Sequence, residues 1–186
     1  MNDYSEHIAI IGGGIAGLSF GCFLLRKDIK PIIFERSSQI REGGAGISIS
    51  PNAINLLDKI DLKENLSNEG FFPEKINFLD EDTPITSIDS RVCCISREKL
   101  VNILYKKFIE LGGEIVFDHE YISFDSEKKI LNFKNNQSYK MSYTSDTFSM
   151  GSNTMEPKGH DGMSSAAMGH ACNFVNATYG VVPPSY

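Results

Sequence analysis

The feature that most constrains this chain is a run of glycines set between a short apolar strand and a helix. His7-Ile8-Ala9-Ile10-Ile11 ends in Gly12-Gly13-Gly14-Ile15-Ala16-Gly17, which supplies G-x-G-x-x-G. A strand without polar alternation is one buried on both faces, as in a parallel sheet. Leu18 to Lys27 then carries apolar residues around much of a helix, with Arg26 and Lys27 expected in its last turn, where cations suit the dipole. Lys30 to Glu35 reads as a second short strand that ends in an acid. In such a β-α-β unit Gly12 permits the sharp turn, Gly14 lets backbone approach a pyrophosphate, and Gly17 lets the helix sit tightly on the sheet. The helix N-terminus offers its unpaired N–H groups to the phosphates. Glu35 stands 18 residues after Gly17, where a carboxylate can accept hydrogen bonds from ribose hydroxyls. A lone G-x-G-x-x-G carries little, and a glycine-rich turn that merely packs is the bland alternative. Strand, turn, helix, strand and acid in this order make it a dinucleotide site. The acid disfavours NADP, because it would repel a 2′-phosphate.

Charge and composition narrow the classes. The net charge of −6 leaves no basic excess to neutralise phosphates, so a broad nucleic-acid surface is not expected. The cysteines Cys22, Cys93, Cys94 and Cys172 form no C-x-x-C pair and suggest neither a disulfide framework nor a zinc site. Adjacent Cys93 and Cys94 could serve redox chemistry, but unpaired cysteine is more often a small buried hydrophobe. No apolar stretch approaches the roughly 20 residues that span a bilayer, and no signal peptide precedes the first strand, so the cytoplasm is the expected compartment. From Met141 to Tyr186 the chain has no Leu, Ile or Arg and a single lysine, Lys158, while five of its six methionines lie there. Too little can be buried to offset the entropy of ordering. Residues 5–140 therefore read as a nucleotide-binding domain and 141–186 as a Met/Ser/Gly-rich, disordered tail.

The residues after Glu35 separate FAD from NAD. Glu35-Arg36, Gly43-Gly44-Ala45-Gly46-Ile47, Pro51-Asn52-Ala53 with Leu56-Leu57, and Arg97-Glu98-Lys99-Leu100 occur in sequence. Together they resemble the single-component FAD-dependent monooxygenases, the flavoprotein aromatic hydroxylases. Ser96 is a candidate N-cap and Glu98 a first-turn acid of a helix reaching about Leu111, which Gly112-Gly113 would end. Val101, Leu104, Tyr105, Phe108 and Leu111 mark its core face. Glu114 to Phe117 reads as another parallel strand, and Tyr121 to Asp125 with Lys129 to Phe133 as an antiparallel pair. The resemblance covers about residues 7–140 and implies an α/β, Rossmann-like FAD-binding unit with a parallel sheet and a small β-meander, incomplete at its C-terminal side. It implies that Gly12, Gly14 and Gly17 cradle the pyrophosphate. Glu35 would hold the adenosine ribose with Arg36 beside it, Gly44, Ala45 and Gly46 would bring backbone to the flavin, and Arg97 would contact the cofactor. NAD(P)H is the implied reductant and a small aromatic or polyketide-like compound the implied substrate.

The family's later landmarks are not found. After the meander it returns to the sheet with an apolar strand and G-A-D-G; here Met141 to Asp146 stands in that place. A later G-D-A-A-H and a substrate-covering β-sheet domain also have no counterpart, and His160-Asp161-Gly162 lacks the strand that D-G requires. The expectation is a truncated form with weak FAD affinity and little hydroxylation by itself. No residue is assigned as a catalytic acid or base, and His7, His119, His160 and His170 form no triad. Two other readings stand beside this one. The chain could be an FAD- or NAD-binding subunit of a larger assembly, with a protein partner at the incomplete sheet edge. Alternatively Met150, Met155, His160, Met163, Met168, His170 and Cys172 offer soft ligands that suit Cu(I), against a tail of low complexity that binds nothing.

Overall fold

Strand β1 (Asp3–Ile11) is the axis around which the molecule is built, because its side chains feed two cores. The computed structural model describes residues 3–40 and 46–143. Ile8 and Ile10 point into one core, under α1 (Ile15–Leu25) and α4 (Arg97–Glu110), and Ala9 points into the other. Strand β2 (Pro31–Phe34) divides the same way, with Ile33 on the helix side and Ile32 and Phe34 opposite. This double burial is why neither strand alternates polar and apolar residues. The first pairs the second in parallel from Ile8↔Pro31 to Ile11↔Phe34, and β2 pairs β7 (Glu114–Val116) in parallel in turn.

The antiparallel pair appears as β8 (Tyr121–Asp125) and β9 (Ile130–Phe133). Strand β10 (Ser138–Tyr143) then runs antiparallel to β9 and parallel to β1, so the six-stranded sheet has the order β7-β2-β1-β10-β9-β8. Here the structure corrects the expectation from sequence. A strand does return to the sheet after the meander, and it runs through the compositional break at residue 140. The physical reason is local: Tyr139 and Met141, two apart and on one side of the strand, are buried against Phe34, Leu131 and Phe133. A single methionine, fully buried, suffices to carry the strand past the point where Leu and Ile end.

Six elements lie between β2 and β7 besides α4. Strand β3 (Gly46–Ile49) pairs antiparallel with β6 (Cys93–Ser96), and helices α2 (Pro51–Asp58) and α3 (Lys63–Glu69) follow β3. Ser50 caps α2 by accepting from the Ala53 N–H at 3.4 Å, with Pro51 in the first turn, in keeping with the P-N-A segment. Helix α1 ends at Leu25, so Arg26 is its cap instead of a last-turn residue; its guanidinium pairs with Asp61 at 2.7 Å. Helix α4 ends as expected, with Gly112 at φ 86°. A hairpin of β4 (Lys75–Asp80) and β5 (Thr83–Asp89) is an addition that the sequence pattern does not announce. It is exposed on both faces although it carries Ile76, Phe78, Leu79, Ile85 and Ile88.

Among the described residues no helix is long and apolar enough to cross a membrane, and no group of three or more His, Cys, Asp or Glu could hold a metal. The candidate copper ligands from Met150 to Cys172 lie outside the described residues. Cys22 and Cys93 are buried, and burial pushes both thiols up, that of Cys22 to about 12. Both are expected to stay unmodified when the native chain is treated with a thiol reagent at pH 8 and to react once it is unfolded. Rapid native labelling of Cys93 would restore the redox reading.

Alkaline pH gives a second check on the fold. The Tyr4 hydroxyl donates to Glu114 Oε1 at 2.8 Å, joining β1 to the β7 edge. Burial and that carboxylate push its pKa from 10.0 to about 12. The folded state therefore holds this proton more tightly than the unfolded chain. Its stabilising contribution is whole below pH 10 and is lost as pH rises through about 12. Urea unfolding should show stability falling more steeply across that window in the wild type than in Tyr4→Phe. Equal slopes would mean that the contact contributes nothing.

Candidate functional site

The glycine turn forms because two of its members can adopt or tolerate what no side chain would. Gly12 sits at φ 99°, in the left-handed region, and its N–H donates to the Phe34 carbonyl at 2.8 Å. A Cβ on Gly17 would overlap the Gly12 carbonyl oxygen, so the helix can start this close to the strand only with glycine there. Gly14 is different. It is the N-cap of α1 in an extended conformation, and a Cβ built on it would meet nothing within 4 Å. Gly14 has no side chain to cap the helix and the first turn carries no acid, so among the described residues no capping side chain takes up its N–H groups. The turn thus has a packed side, held by Gly12 and Gly17, and an open side at Gly14 that presents backbone donors.

Glu35 closes this turn from the neighbouring strand. Its Oε2 accepts from the Gly13 N–H at 2.7 Å and its Oε1 from the Ser37 N–H at 2.9 Å. A carboxylate has about four acceptor positions, so two remain for a ligand. Gly13, which has no task in the G-x-G-x-x-G pattern, is closely packed as well. A Cβ there would lie 2.9 Å from Ile40 Cδ1 and 3.3 Å from Glu35 Oε2. The three consecutive glycines are the signal for it in the sequence. Arg36 points into solvent beside this acid.

Gly46 and Arg97, 51 positions apart in sequence, come together through the β3–β6 ladder. Gly46 pairs with Ser96, and Arg97 is the next residue, the first of α4. Ser96 caps that helix by accepting from the Lys99 N–H at 3.2 Å. Both Gly46 and Arg97 are exposed. Gly46, Ser48, Cys94, Ser96 and Lys99 help line an open cavity of about 550 Å³. A Cβ on Gly46 would make only ordinary contact, 3.7 Å from the Ile95 carbonyl oxygen, so packing within the chain does not demand glycine there. Gly44 and Ala45 lie outside the described residues. The structure therefore gathers Gly12, Gly14, Gly17 and Glu35 at one place, with Arg36 alongside, and Gly46 with Arg97 at a second.

A parallel β1–β2 pair whose first strand turns through glycines into a helix, with the acid that follows the second strand bonded into that turn, defines a Rossmann-type dinucleotide-binding unit. Comparison with known proteins gives the family. Residues 6–137 match the family described as FAD binding domain, and the chain belongs to it. It is 32% identical over 129 residues to Monooxygenase 1 of Arabidopsis thaliana, a match that spans 67% of this chain and 32% of that protein. It is 36% identical over 85 residues to 3-hydroxybenzoate 6-hydroxylase 1 of Aquipseudomonas alcaligenes, covering 45% of this chain and 22% of the relative. The chain thus spans about a third or less of the length of these relatives. Among solved structures, the tetrameric form of 2-methyl-3-hydroxypyridine-5-carboxylic acid oxygenase superposes with a TM-score of 0.69 at 19% identity. That match covers 76% of this chain and 38% of the oxygenase and shows the shared fold.

Proposed function

We propose that this chain binds FAD and is the cofactor-holding part of a flavin-dependent monooxygenase. The pyrophosphate lies at the open side of the Gly12–Gly17 turn, where Gly14 leaves room and the α1 N–H groups face it. Glu35 accepts hydrogen bonds from the adenosine ribose, and Arg36 stands beside it. Gly44, Ala45 and Gly46 bring backbone to the flavin, and Arg97 approaches it from the start of α4. One observation supports the reading above all: Glu35 is bonded to Gly13 at 2.7 Å, so the acid is joined directly to the phosphate cradle. The bound flavin would supply the redox and oxygen chemistry, and the protein supplies binding, orientation and exclusion of water.

The two glycine sites and Glu35 do the first two of these tasks. Reduction by NAD(P)H, and hydroxylation of a small aromatic or polyketide-like substrate, are assigned to them only together with a part that covers the substrate. The test is to purify residues 1–186, add FAD, desalt and record the visible spectrum. A retained flavin band is expected; a colourless protein that FAD does not change overturns the reading. Glu35→Gln should weaken FAD binding roughly ten- to a hundredfold, the worth of a hydrogen bond to a charged group. Unchanged affinity would remove Glu35 from the site.

A second reading, an FAD- or NAD-binding subunit of a larger assembly, is favoured by the β4–β5 hairpin. A two-stranded hairpin with both faces in water is marginal alone, and this one exposes Phe78 at 47% and Ile85 at 67%. Nucleotide binding seen only with a partner protein present would select it.

A further inference from the structure

We propose that His119 is a positioning residue for the nucleotide site: it locks a backbone strap that sets Glu35 for the ribose. The proposal rests on the assignment of Glu35 to the adenosine ribose. The strap is the connection that leaves β7. The Glu35 N–H donates to the Val116 carbonyl at 2.9 Å, the His119 N–H to the Glu35 carbonyl at 2.9 Å, and the Asp118 N–H to the Ser37 carbonyl at 3.1 Å. Residues 35–37 are therefore tied to 116–119 by three backbone hydrogen bonds. Ser37 also supplies the N–H that holds Glu35 Oε1, so the strap reaches the carboxylate by a second route.

What holds the strap is the imidazole of His119. The residue is 6% exposed, and both ring nitrogens are engaged. Nδ1 lies 2.5 Å from the Phe117 carbonyl oxygen, which can only accept, so Nδ1 carries a proton. Nε2 lies 2.8 Å from Gln137 Oε1 and 2.8 Å from the Tyr139 hydroxyl, both brought in by the β9–β10 turn and β10. Phe34, Phe133 and Tyr139 surround the ring with centroids at 5.8, 5.0 and 5.3 Å. Asn135 adds a donor to the Asp118 carbonyl at 2.9 Å. The meander is thus joined through His119 to the acid in the glycine turn. A binding group must be held within about 0.5 Å of its working position to be effective. Backbone bonds to a loop give that precision only if the loop itself is fixed.

The test uses the full chain and reads discrimination for the ribose hydroxyls. Dissociation constants for ADP and 2′,3′-dideoxy-ADP are measured for the wild type, Glu35→Gln, His119→Phe and the double variant Gln137→Leu/Tyr139→Phe. The double variant keeps the imidazole and removes its Nε2 partners. The wild type should prefer ADP by roughly tenfold or more, and Glu35→Gln should reduce that ratio to about threefold or less. His119→Phe and the double variant should reduce it in the same way, while binding of the dideoxy nucleotide changes little. A role confined to stability would weaken both nucleotides together and leave the ratio intact, and that result overturns the proposal. If His119→Phe does not fold, the double variant decides alone. A wild type without discrimination, or without measurable binding, overturns the assignment of Glu35 and the proposal with it. Discrimination abolished in Glu35→Gln but retained in the other variants overturns the proposal alone.

Discussion

Gly17→Ala is expected to yield a chain that retains no flavin after desalting and unfolds at a markedly lower urea concentration. The added methyl would overlap the Gly12 carbonyl oxygen and approach Ile10 Cγ2 to 3.3 Å. Gly12 cannot yield easily, because it is already in the left-handed region at φ 99° with its N–H bonded to Phe34. Helix α1 must therefore back away from β1. Overpacking of this kind costs about 1–3 kcal/mol, and more when backbone is the obstacle. The same displacement carries the helix N-terminus away from the phosphates, so affinity and stability fall together. Gly14→Ala provides the contrast. Its φ of −81° suits alanine and the methyl would meet nothing within 4 Å, so stability should fall by no more than about 1 kcal/mol, the cost of alanine at an N-cap. FAD affinity should nonetheless fall, because the methyl stands where the pyrophosphate approaches. A Gly14→Ala chain that binds FAD as the wild type does would move the phosphate site elsewhere.

Phe108→Ala should be the most destabilising single truncation among the described residues. Phe108 is fully buried on α4 and fills the space left by two glycines. A Cβ on Gly21 would come to 2.5 Å from its ring, and one on Gly113 would also collide with it. Truncating a buried phenylalanine costs about 3–5 kcal/mol, against a total stability of about 5–15 kcal/mol for an ordinary domain. The urea midpoint should drop accordingly, with the slope unchanged if unfolding stays two-state. The ring also couples the two halves of the site, since α1 begins at the glycine turn and α4 begins at Arg97. A loss of less than about 1 kcal/mol would mean that α1 and α4 can close over the cavity.

The legible parts of the sequence are those where local pattern and tertiary role coincide. The β1–α1–β2 unit is written in contiguous residues, and Gly17 stands only five positions from the Gly12 carbonyl against which it packs. Helix α4 announces both ends, with Ser96 and Gly112, and its core face from Val101 to Phe108. The Gly46–Arg97 juxtaposition needs the family resemblance, because a β-ladder between residues 50 positions apart leaves no local mark. The returning strand is hidden because composition is a poor proxy for burial, and Met141 can fill a core without being Leu or Ile. The hairpin is hidden for a related reason. Ile76 and Phe78 alternate with polar residues as a strand would, but the alternation breaks at the bulge after Phe78, and neither face is buried to reinforce it. His119 is inconspicuous because its partners Gln137 and Tyr139 lie in a later turn and strand, and its effect on Glu35 passes through backbone atoms that any sequence would have.

The parallel pairing of β1 with β10 also decides when this domain can be completed. Tyr4 pairs with Met141, so the central strand waits for residues synthesised 137 positions later. The β1–β2 pair can form early, but the opposite edge of β1 stays open while more than a hundred residues emerge. Contacts at such separation close slowly, because the entropy of the loop must be overcome before any reward arrives. An emerging chain with an open, apolar strand edge is the kind of intermediate that chaperones hold and that aggregates in their absence. Tyr139 and Met141 therefore act as a late latch, and a ribosome-stalled chain ending before them would have the glycine turn but not the closed sheet beneath it.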